Sequence, residues 1–347
     1  MDSKRLVHEV FEEGSAARVP IHVEAEDKRY EYVLGDVLGV GTRISDWRDF
    51  YLKGGPFARG NGVSLSEWAD SLDIDAYDWP DIDEAVNTAV LKYREKVLRI
   101  GVDRFILFKV LGPTETSESF FASKVPERLL RLGQISHRYG FAVILRLKPK
   151  KAIKVYDRIS SYLLELIKAG VELEFVDAVR IADDMASYFG PVYPMWFIEN
   201  HYLRWHREFT NAIKKGGKYA ILHCDGDLRK RGVIVKLAEL YDGFHPLDFM
   251  RKSTVGDALK WVEAIVEARR MVSEGKVFFT GMPVDLIFSD NVDIQEFLRV
   301  PRRLIELHGS RWLVLATTHR PYPSRSYSEE LPRRKVESVR RTLIHLK

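Results

Sequence analysis

The feature that most constrains the fold is a repeated alternation of short apolar strands with helices. The predicted strands begin near residues 19, 104, 141, 173, 219, 243, 277 and 311. Short apolar strands that alternate with helices form a parallel sheet whose two faces are covered. Eight such units over 347 residues favour an α/β fold, a single (β/α)8 TIM barrel. An open, doubly wound sheet is the alternative.

No stretch rich in Pro, Gly or Ser divides the alternating pattern, so we expect one domain with an N-terminal extension. Residues 1–80 would form that extension, including the first strand and segments that cover a site, and residues 80–347 the remainder of the barrel. Tyr30–Leu38 is predicted as a strand or short helix, and residues 127–139 as a helix. The run FAVILRL, residues 141–147, is predicted as the third strand.

Charge and cysteine content exclude several classes of protein. The chain has 54 Lys and Arg against 50 Asp and Glu, a net charge of +4 that is spread along the sequence, whereas nucleic-acid binding needs clustered basic charge. A single cysteine excludes an internal disulfide and a multi-cysteine metal cluster. The N-terminus reads as an amphipathic helix and no apolar run reaches membrane-spanning length. We therefore expect a cytoplasmic monomer or homodimer that acts on a small-molecule substrate.

The stretch YAILHCDGDL, residues 219–228, is the strongest candidate for a site. It reads as a buried strand that ends in His223, Cys224 and Asp225. Because side chains alternate along a strand, His223 and Asp225 share one face and Cys224 points into the helix layer as a small core residue. A histidine–aspartate hydrogen bond that closes a turn is the alternative interpretation.

In a (β/α)8 barrel the active site lies at the carboxyl ends of the strands. Ionisable residues occur at nearly every predicted strand end, and buried charges must be paired or used. The catalytic candidates are Asp183, Asp184, His223 and Asp225. The substrate-binding candidates are Arg146, Arg180, His245 and Asp285. For Asp183, Asp184 and Asp285 the alternative is helix capping or turn formation, since turns after strands favour Asp.

Imidazole and carboxylate groups are ligands that suit zinc, iron or manganese. His223 and Asp225 after the fifth strand and His319 after the eighth form a two-histidine, one-carboxylate set. The sequence therefore predicts a metal site, zinc being the first candidate, at His223, Asp225 and His319.

Several short motifs in the same order resemble the uroporphyrinogen decarboxylase superfamily. They are IADDMASYFGP (181–191), ILHCDGDL (221–228), GFHPLDF (243–249), FFTGMPVDLI (277–287) and a final strand ending in His319. The resemblance covers about residues 80–320. It implies a (β/α)8 barrel and an enzyme that is either a decarboxylase or a corrinoid-linked methyltransferase. HCDG is most similar to the HSDG form found in uncharacterised members.

Two departures from the family's motifs bear on function. The RQAGRY-type motif that grips carboxylates in uroporphyrinogen decarboxylases is absent, and Asp225 stands where the methyltransferases carry a zinc-binding cysteine. The first hypothesis is methyl transfer from a corrinoid or similar donor, with a corrinoid protein as partner. The second is metal-free decarboxylation of a tetrapyrrole or other carboxylated ring by an aspartic acid and arginines. The third is a barrel that binds a corrinoid or tetrapyrrole without turnover.

Overall fold

The structure is a computed structural model that describes residues 2–25, 27–44, 47–124, 140–250, 252–321 and 330–344. The helix predicted over residues 127–139 lies outside these ranges. None of the helices within them is both long and apolar enough to cross a membrane.

Eight parallel strands form one nearly closed barrel, as the sequence predicts. They are β1 (Ile21–His22), β2 (Val37–Thr42), β3 (Phe105–Leu111), β4 (Ala178–Ala182), β5 (Tyr219–Cys224), β6 (Gly243–Pro246), β7 (Val277–Met282) and β8 (Leu313–Thr317). From β2 to β8 each strand pairs with the next along the chain, and β8 pairs with β1. The barrel closes where the Asp36 backbone N–H donates to the Ile21 carbonyl at 2.7 Å.

Helices surround this barrel and follow the strands in the order expected of a (β/α)8 fold. The α-helices are Ser3–Glu13, Lys28–Leu34, Phe50–Lys53, Leu65–Ser71, Ile82–Ile100, Pro113–Phe121, Gly140–Leu147, Pro149–Val171, Met195–Phe197, Leu203–Lys215, Val233–Ala238, Val255–Met271, Val284–Ile287, Ile294–His308 and Glu330–Thr342. Single turns of 3₁₀-helix occur at Trp47–Asp49 and Lys230–Gly232, and a π-helical turn at Ile198–Tyr202. A short antiparallel ladder joins Ala186–Ser187 to Gly190–Pro191.

One predicted strand is wrong. Residues 141–147 belong to the helix Gly140–Leu147, which buries Phe141, Ile144 and Leu145 on one face. The buried Glu118 carboxylate accepts hydrogen bonds from the backbone N–H groups of residues 141 and 142, at 2.9 and 3.2 Å, and so caps the start of the helix. Arg146 is therefore an exposed helix residue and does not lie at a strand end. The strand that the sequence analysis does not include is β2. The range Tyr30–Leu38, predicted as a strand or short helix, contains the end of the helix Lys28–Leu34 and the start of β2.

The first helix closes the amino-terminal end of the barrel. Its Val7, Val10 and Phe11 pack against side chains that point into the barrel, among them Phe105 and Phe279. Fully burying each such side chain stabilises the fold by roughly 1.5–3 kcal/mol. The lower half of the barrel interior is thus an apolar core, and the polar side chains lie toward the carboxyl ends of the strands.

Candidate metal centre

Three ligand-type side chains converge where β4 and β5 end. Ala182 pairs with His223 in the sheet, so the residues that follow these two strands lie side by side. One ligand atom each from Asp184, His223 and Asp225 lies within 4.8 Å of the other two. The Asp225 backbone N–H donates to Asp184 Oδ1 at 2.8 Å, and His223 Nε2 lies 3.9 Å from the same oxygen.

A chain of contacts behind His223 assigns its proton. His245 Nε2 lies 3.0 Å from the Thr317 carbonyl oxygen, which only accepts hydrogen bonds, so this nitrogen carries the proton of His245. His245 Nδ1 then accepts, and His223 Nδ1 at 2.6 Å must be its donor. The lone pair of His223 is consequently on Nε2, the nitrogen nearest Asp184. This is the form in which histidine binds a metal ion.

Both histidines are held in the neutral state. Burial, followed by the charge of Arg180, keeps the pKa of His223 and of His245 well below the usual range. Arg180 Nη1 also lies 3.3 Å from His245 Nδ1. A neutral imidazole at His223 is therefore ready to bind a cation without first losing a proton.

A buried cluster of charges lies deeper in the barrel. Arg180 Nη2 donates to Glu24 Oε1 at 2.5 Å, Lys109 donates to the same oxygen, and His22 Nε2 lies 3.6 Å from it. Burial alone would raise the pKa of Glu24, but Arg180 and Lys109 outweigh it and hold that pKa well below its usual range. Burial, with Arg180 next, lowers the pKa of Lys109 to about 7. Two cationic side chains thus share one carboxylate.

Asp183 has a different environment from its neighbour Asp184. Its side chain is fully buried on the outward side of β4. Asp183 Oδ1 accepts from the backbone N–H groups of Thr114 and Glu115 and from the Thr114 hydroxyl, at the start of the helix Pro113–Phe121. Its other oxygen lies 3.0 Å from His206 Nε2. Asp183 therefore caps a helix from a buried position, which is the alternative that the sequence left open. It is not part of the group formed by Asp184, His223 and Asp225.

The remaining sequence candidates are distributed around the barrel mouth. The ring of His319 lies 6.4 Å from that of His223, centroid to centroid, and His319 Nδ1 lies 2.7 Å from the Arg320 carbonyl. Asp184, rather than His319, completes the group with His223 and Asp225. Asp285 lies in the first turn of Val284–Ile287 and accepts from the Ser253 hydroxyl at 2.7 Å. Cys224 is fully buried in the core, as its strand position predicts.

Sequence reasoning missed Lys109. It is the single charged residue of the apolar strand β3, whose sequence is FILFKVL. Because Phe105 and Leu107 face the barrel interior, alternation places Lys109 on that face too. A lone lysine on the inward side of a buried strand was the signal that could have revealed it.

The three converging side chains fit a divalent metal ion. Two carboxylates and one imidazole suit zinc, manganese or iron. Ligand bonds to such ions are about 2 Å long, so these ligand atoms, which lie within 4.8 Å of one another, would draw closer around a bound ion. The His223 side chain is 7% exposed and the Asp184 side chain 32% exposed, so the imidazole lies deep and a carboxylate lies at the accessible edge.

Comparison with known proteins identifies relatives of the fold. No protein-family model matches the sequence, and no curated protein sequence matches it.

A methyltransferase from Methanosarcina mazei has a similar structure, with a TM-score of 0.63, 11% identity and 98% of each chain covered. A B12-independent methionine synthase from Shewanella sp. W3-18-1 has a TM-score of 0.43 at 13% identity, covering 78% of this chain and 69% of that one. A GH113 β-1,4-mannanase has a TM-score of 0.44 at 10% identity, with 94% and 99% covered. At these identities, the Methanosarcina mazei likeness shows a shared barrel fold.

Proposed function

We propose that this chain is a methyltransferase of the uroporphyrinogen decarboxylase superfamily that uses a metal ion, with zinc as the first candidate. The observation that carries the proposal is the convergence of Asp184, His223 and Asp225, with the lone pair of His223 on Nε2. The structural similarity to a methyltransferase from Methanosarcina mazei, which covers 98% of each chain, also favours methyl transfer.

Asp184, His223 and Asp225 would hold the metal. When bound, the ion supplies Lewis acidity that lowers the pKa of the nucleophilic atom of the methyl acceptor. The acceptor would release its proton to solvent at the barrel mouth and use the electron pair left behind to form the new bond to carbon. The donor, a corrinoid or similar carrier, keeps the electron pair of the bond that breaks.

The protein's own groups position and protect this reaction. His245 holds the ring of His223 in one orientation through a 2.6 Å contact, and the Thr317 carbonyl holds His245 in turn. The buried floor of the barrel excludes water from below. Oxygen and nitrogen ligands distinguish this site from a thiolate zinc site, so the acceptor is not restricted to a thiol.

Zinc analysis of protein purified without an affinity tag tests the proposal. We expect one zinc per chain in the wild type, loss of zinc in His223→Ala and Asp184→Asn, and retention in His319→Ala. His319→Ala is a matched control because His319 is a nearby histidine outside the converging group. A wild-type protein that takes up no zinc, manganese or iron at neutral pH would contradict the metal mechanism.

A metal-free decarboxylase is the second candidate. Arg180 and Lys109 in the barrel interior favour it, because a carboxylated ring needs positive charge. Against it, Arg146 lies on an outer helix and Asp183 is buried as a helix cap. Anaerobic incubation with uroporphyrinogen is the test, and release of carbon dioxide that Asp184→Asn abolishes would favour decarboxylation over methyl transfer.

A further inference from the structure

Two glycines on the inward face of β2 leave room inside the barrel. Val37 points into the barrel core, so alternation places Gly39 and Gly41 on the same side. A Cβ at Gly39 would lie 2.8 Å from Lys109 Cδ, which shows that the lysine side chain crosses this position. At Gly41 an added Cβ would meet no atom of the described chain within 4 Å, and this residue is exposed.

The open space lies next to Lys109. Gly41 and Lys109 are paired residues in the β2–β3 ladder, and Lys109 pairs with Arg180 in the next ladder. The Lys109 side chain is 18% exposed, whereas those of Glu24 and Arg180 are 4% and 2% exposed. Lys109 is therefore the cation of this cluster that a small molecule at the barrel mouth can reach.

Two cationic side chains share one acceptor beside this space. Lys109 and Arg180 both donate to Glu24 Oε1. Arg180 Nε is buried and has no hydrogen-bond partner among the described residues. Burial, with Arg180 next, lowers the pKa of Lys109 to about 7 although Glu24 acts to raise it, and a bound anion would favour the charged form of the lysine. Buried donors of this kind call for an additional acceptor.

We propose that the space beside Gly41 is a subsite for an anionic group of the substrate, a carboxylate or a phosphate, which Lys109 binds directly. Arg180 supports the site from behind by holding Glu24 in place. The small inward-facing Gly41 leaves space for the anion. The substrate class is then a small acid, and Lys109 is a binding residue that neither the sequence motifs nor the metal-ligand group includes.

The subsite is connected to the candidate metal centre. Arg180 contacts His245, and His245 contacts His223, so two contacts join the cationic cluster to the metal-ligand group. An acid anchored at Lys109 would extend toward His223 along the barrel interior. This inference rests on the proposed function, because it names the class of molecule that the metal would activate.

Calorimetric titration of the zinc-loaded protein with sulfate and with acetate, at constant ionic strength, tests the subsite. Lys109→Met removes the charge but keeps an unbranched side chain, and Gly41→Leu fills the space but keeps the charge. Lys92→Met, on the exposed face of Ile82–Ile100, is the matched control.

We expect both site variants to weaken anion binding by at least about tenfold, equivalent to roughly 1.4 kcal/mol, and the control to bind as the wild type does. Tighter binding of acetate would indicate a carboxylate substrate, and tighter binding of sulfate a phosphate.

Three results would overturn the subsite: no binding of either anion to the wild type, unchanged binding in both site variants, or equal weakening in Lys92→Met. Zinc content is measured on the same samples, and repeating the titration on zinc-free protein separates the two proposals. If the wild type holds no metal but Lys109→Met and Gly41→Leu still weaken anion binding, the metal mechanism fails and the subsite stands.

Discussion

At the scale of single residues, the chemistry of the site depends on which nitrogen of His223 carries the proton. That choice is made by His245, which offers Nδ1 to His223 because its own Nε2 donates to the Thr317 carbonyl. If the neighbouring acceptor were absent, His223 would be free to move its proton to Nε2 and lose the lone pair that faces Asp184. His245 is predicted from the sequence as a substrate-binding residue, and in the structure it contacts His223 and the Thr317 carbonyl. Under the proposed function it would orient His223 as a metal ligand.

Replacing His245 tests this role. His245→Phe keeps a ring but removes the acceptor, and we expect zinc affinity to fall about 10–100-fold, the usual cost of losing the partner of a metal-binding histidine. His245→Gln retains an acceptor and a donor, so we expect this variant to lose less zinc affinity than His245→Phe does. Competition with a chromogenic chelator measures both. His201→Phe, at a half-buried histidine in the π-helical turn, is the control. Equal zinc affinity in His245→Phe and the wild type would contradict the assignment.

At the scale of secondary-structure elements, two adjacent aspartates after β4 serve different elements. Asp183 accepts the hydrogen bonds that begin the helix Pro113–Phe121, and Asp184 belongs to the candidate metal-ligand group with His223 and Asp225. The sequence shows two equivalent carboxylates at a strand end. Alternation along the strand separates them, since consecutive side chains point to opposite sides of the sheet.

Asp183→Asn and Asp184→Asn form a matched pair for this distinction. An amide at residue 183 leaves buried donors without their acceptor, so we expect the free energy of unfolding to fall by roughly 2 kcal/mol. The same change at residue 184 removes a metal ligand at an accessible position, so we expect zinc loss with a change in stability within about 0.5 kcal/mol. Urea unfolding of the zinc-free proteins and zinc analysis of the folded ones measure the two effects. Zinc loss in Asp183→Asn without destabilisation would contradict the capping role.

The elements that sequence reasoning misassigned have identifiable physical causes. FAVILRL is a short apolar run, and such a run does not distinguish a buried strand from a buried helix. The Glu118 carboxylate, distant in sequence, decides in favour of the helix by capping it. β2 has the sequence VLGVGT, in which two glycines weaken the strand signal. Gly39 leaves space for the Lys109 side chain, a requirement that no local pattern reveals.

At the scale of the whole molecule, the barrel was predictable because short apolar strands alternate with helices along the 347 residues. One missed strand and one false strand leave the count of eight unchanged. The grouping of the site was less predictable: His223 and Asp225 are two residues apart on one strand, but their third partner depends on the register between β4 and β5. Asp184 and His319 both follow strand ends, and only the three-dimensional arrangement selects Asp184.

Stability of the whole molecule should depend on pH through His308, far along the chain from the metal-ligand group. Its Nδ1 lies 3.1 Å from the Gly309 carbonyl, its Nε2 is buried without a partner in the described chain, and its ring packs on Phe278. Burial lowers the pKa of His308 to about 4, from an ordinary value of 6.5. Between these pH values the unfolded chain binds a proton that the folded chain does not, so stability rises with pH across this window and is lost as the pH falls.

His308→Phe removes this titration and keeps an aromatic ring against Phe278. At pH 8 the histidine is neutral in both states, and the variant's effect there reports packing and the lost hydrogen bond alone. At pH 4 the wild type should have lost roughly 3 kcal/mol through His308, because each pH unit contributes about 1.4 kcal/mol. We therefore expect the free energy of unfolding of the variant, relative to that of the wild type, to be about 3 kcal/mol higher at pH 4 than at pH 8. Urea unfolding with a chelator present measures it at both pH values. If the free energies of unfolding of variant and wild type differ by the same amount at every pH, His308 takes up its proton as readily in the folded protein as in the unfolded chain.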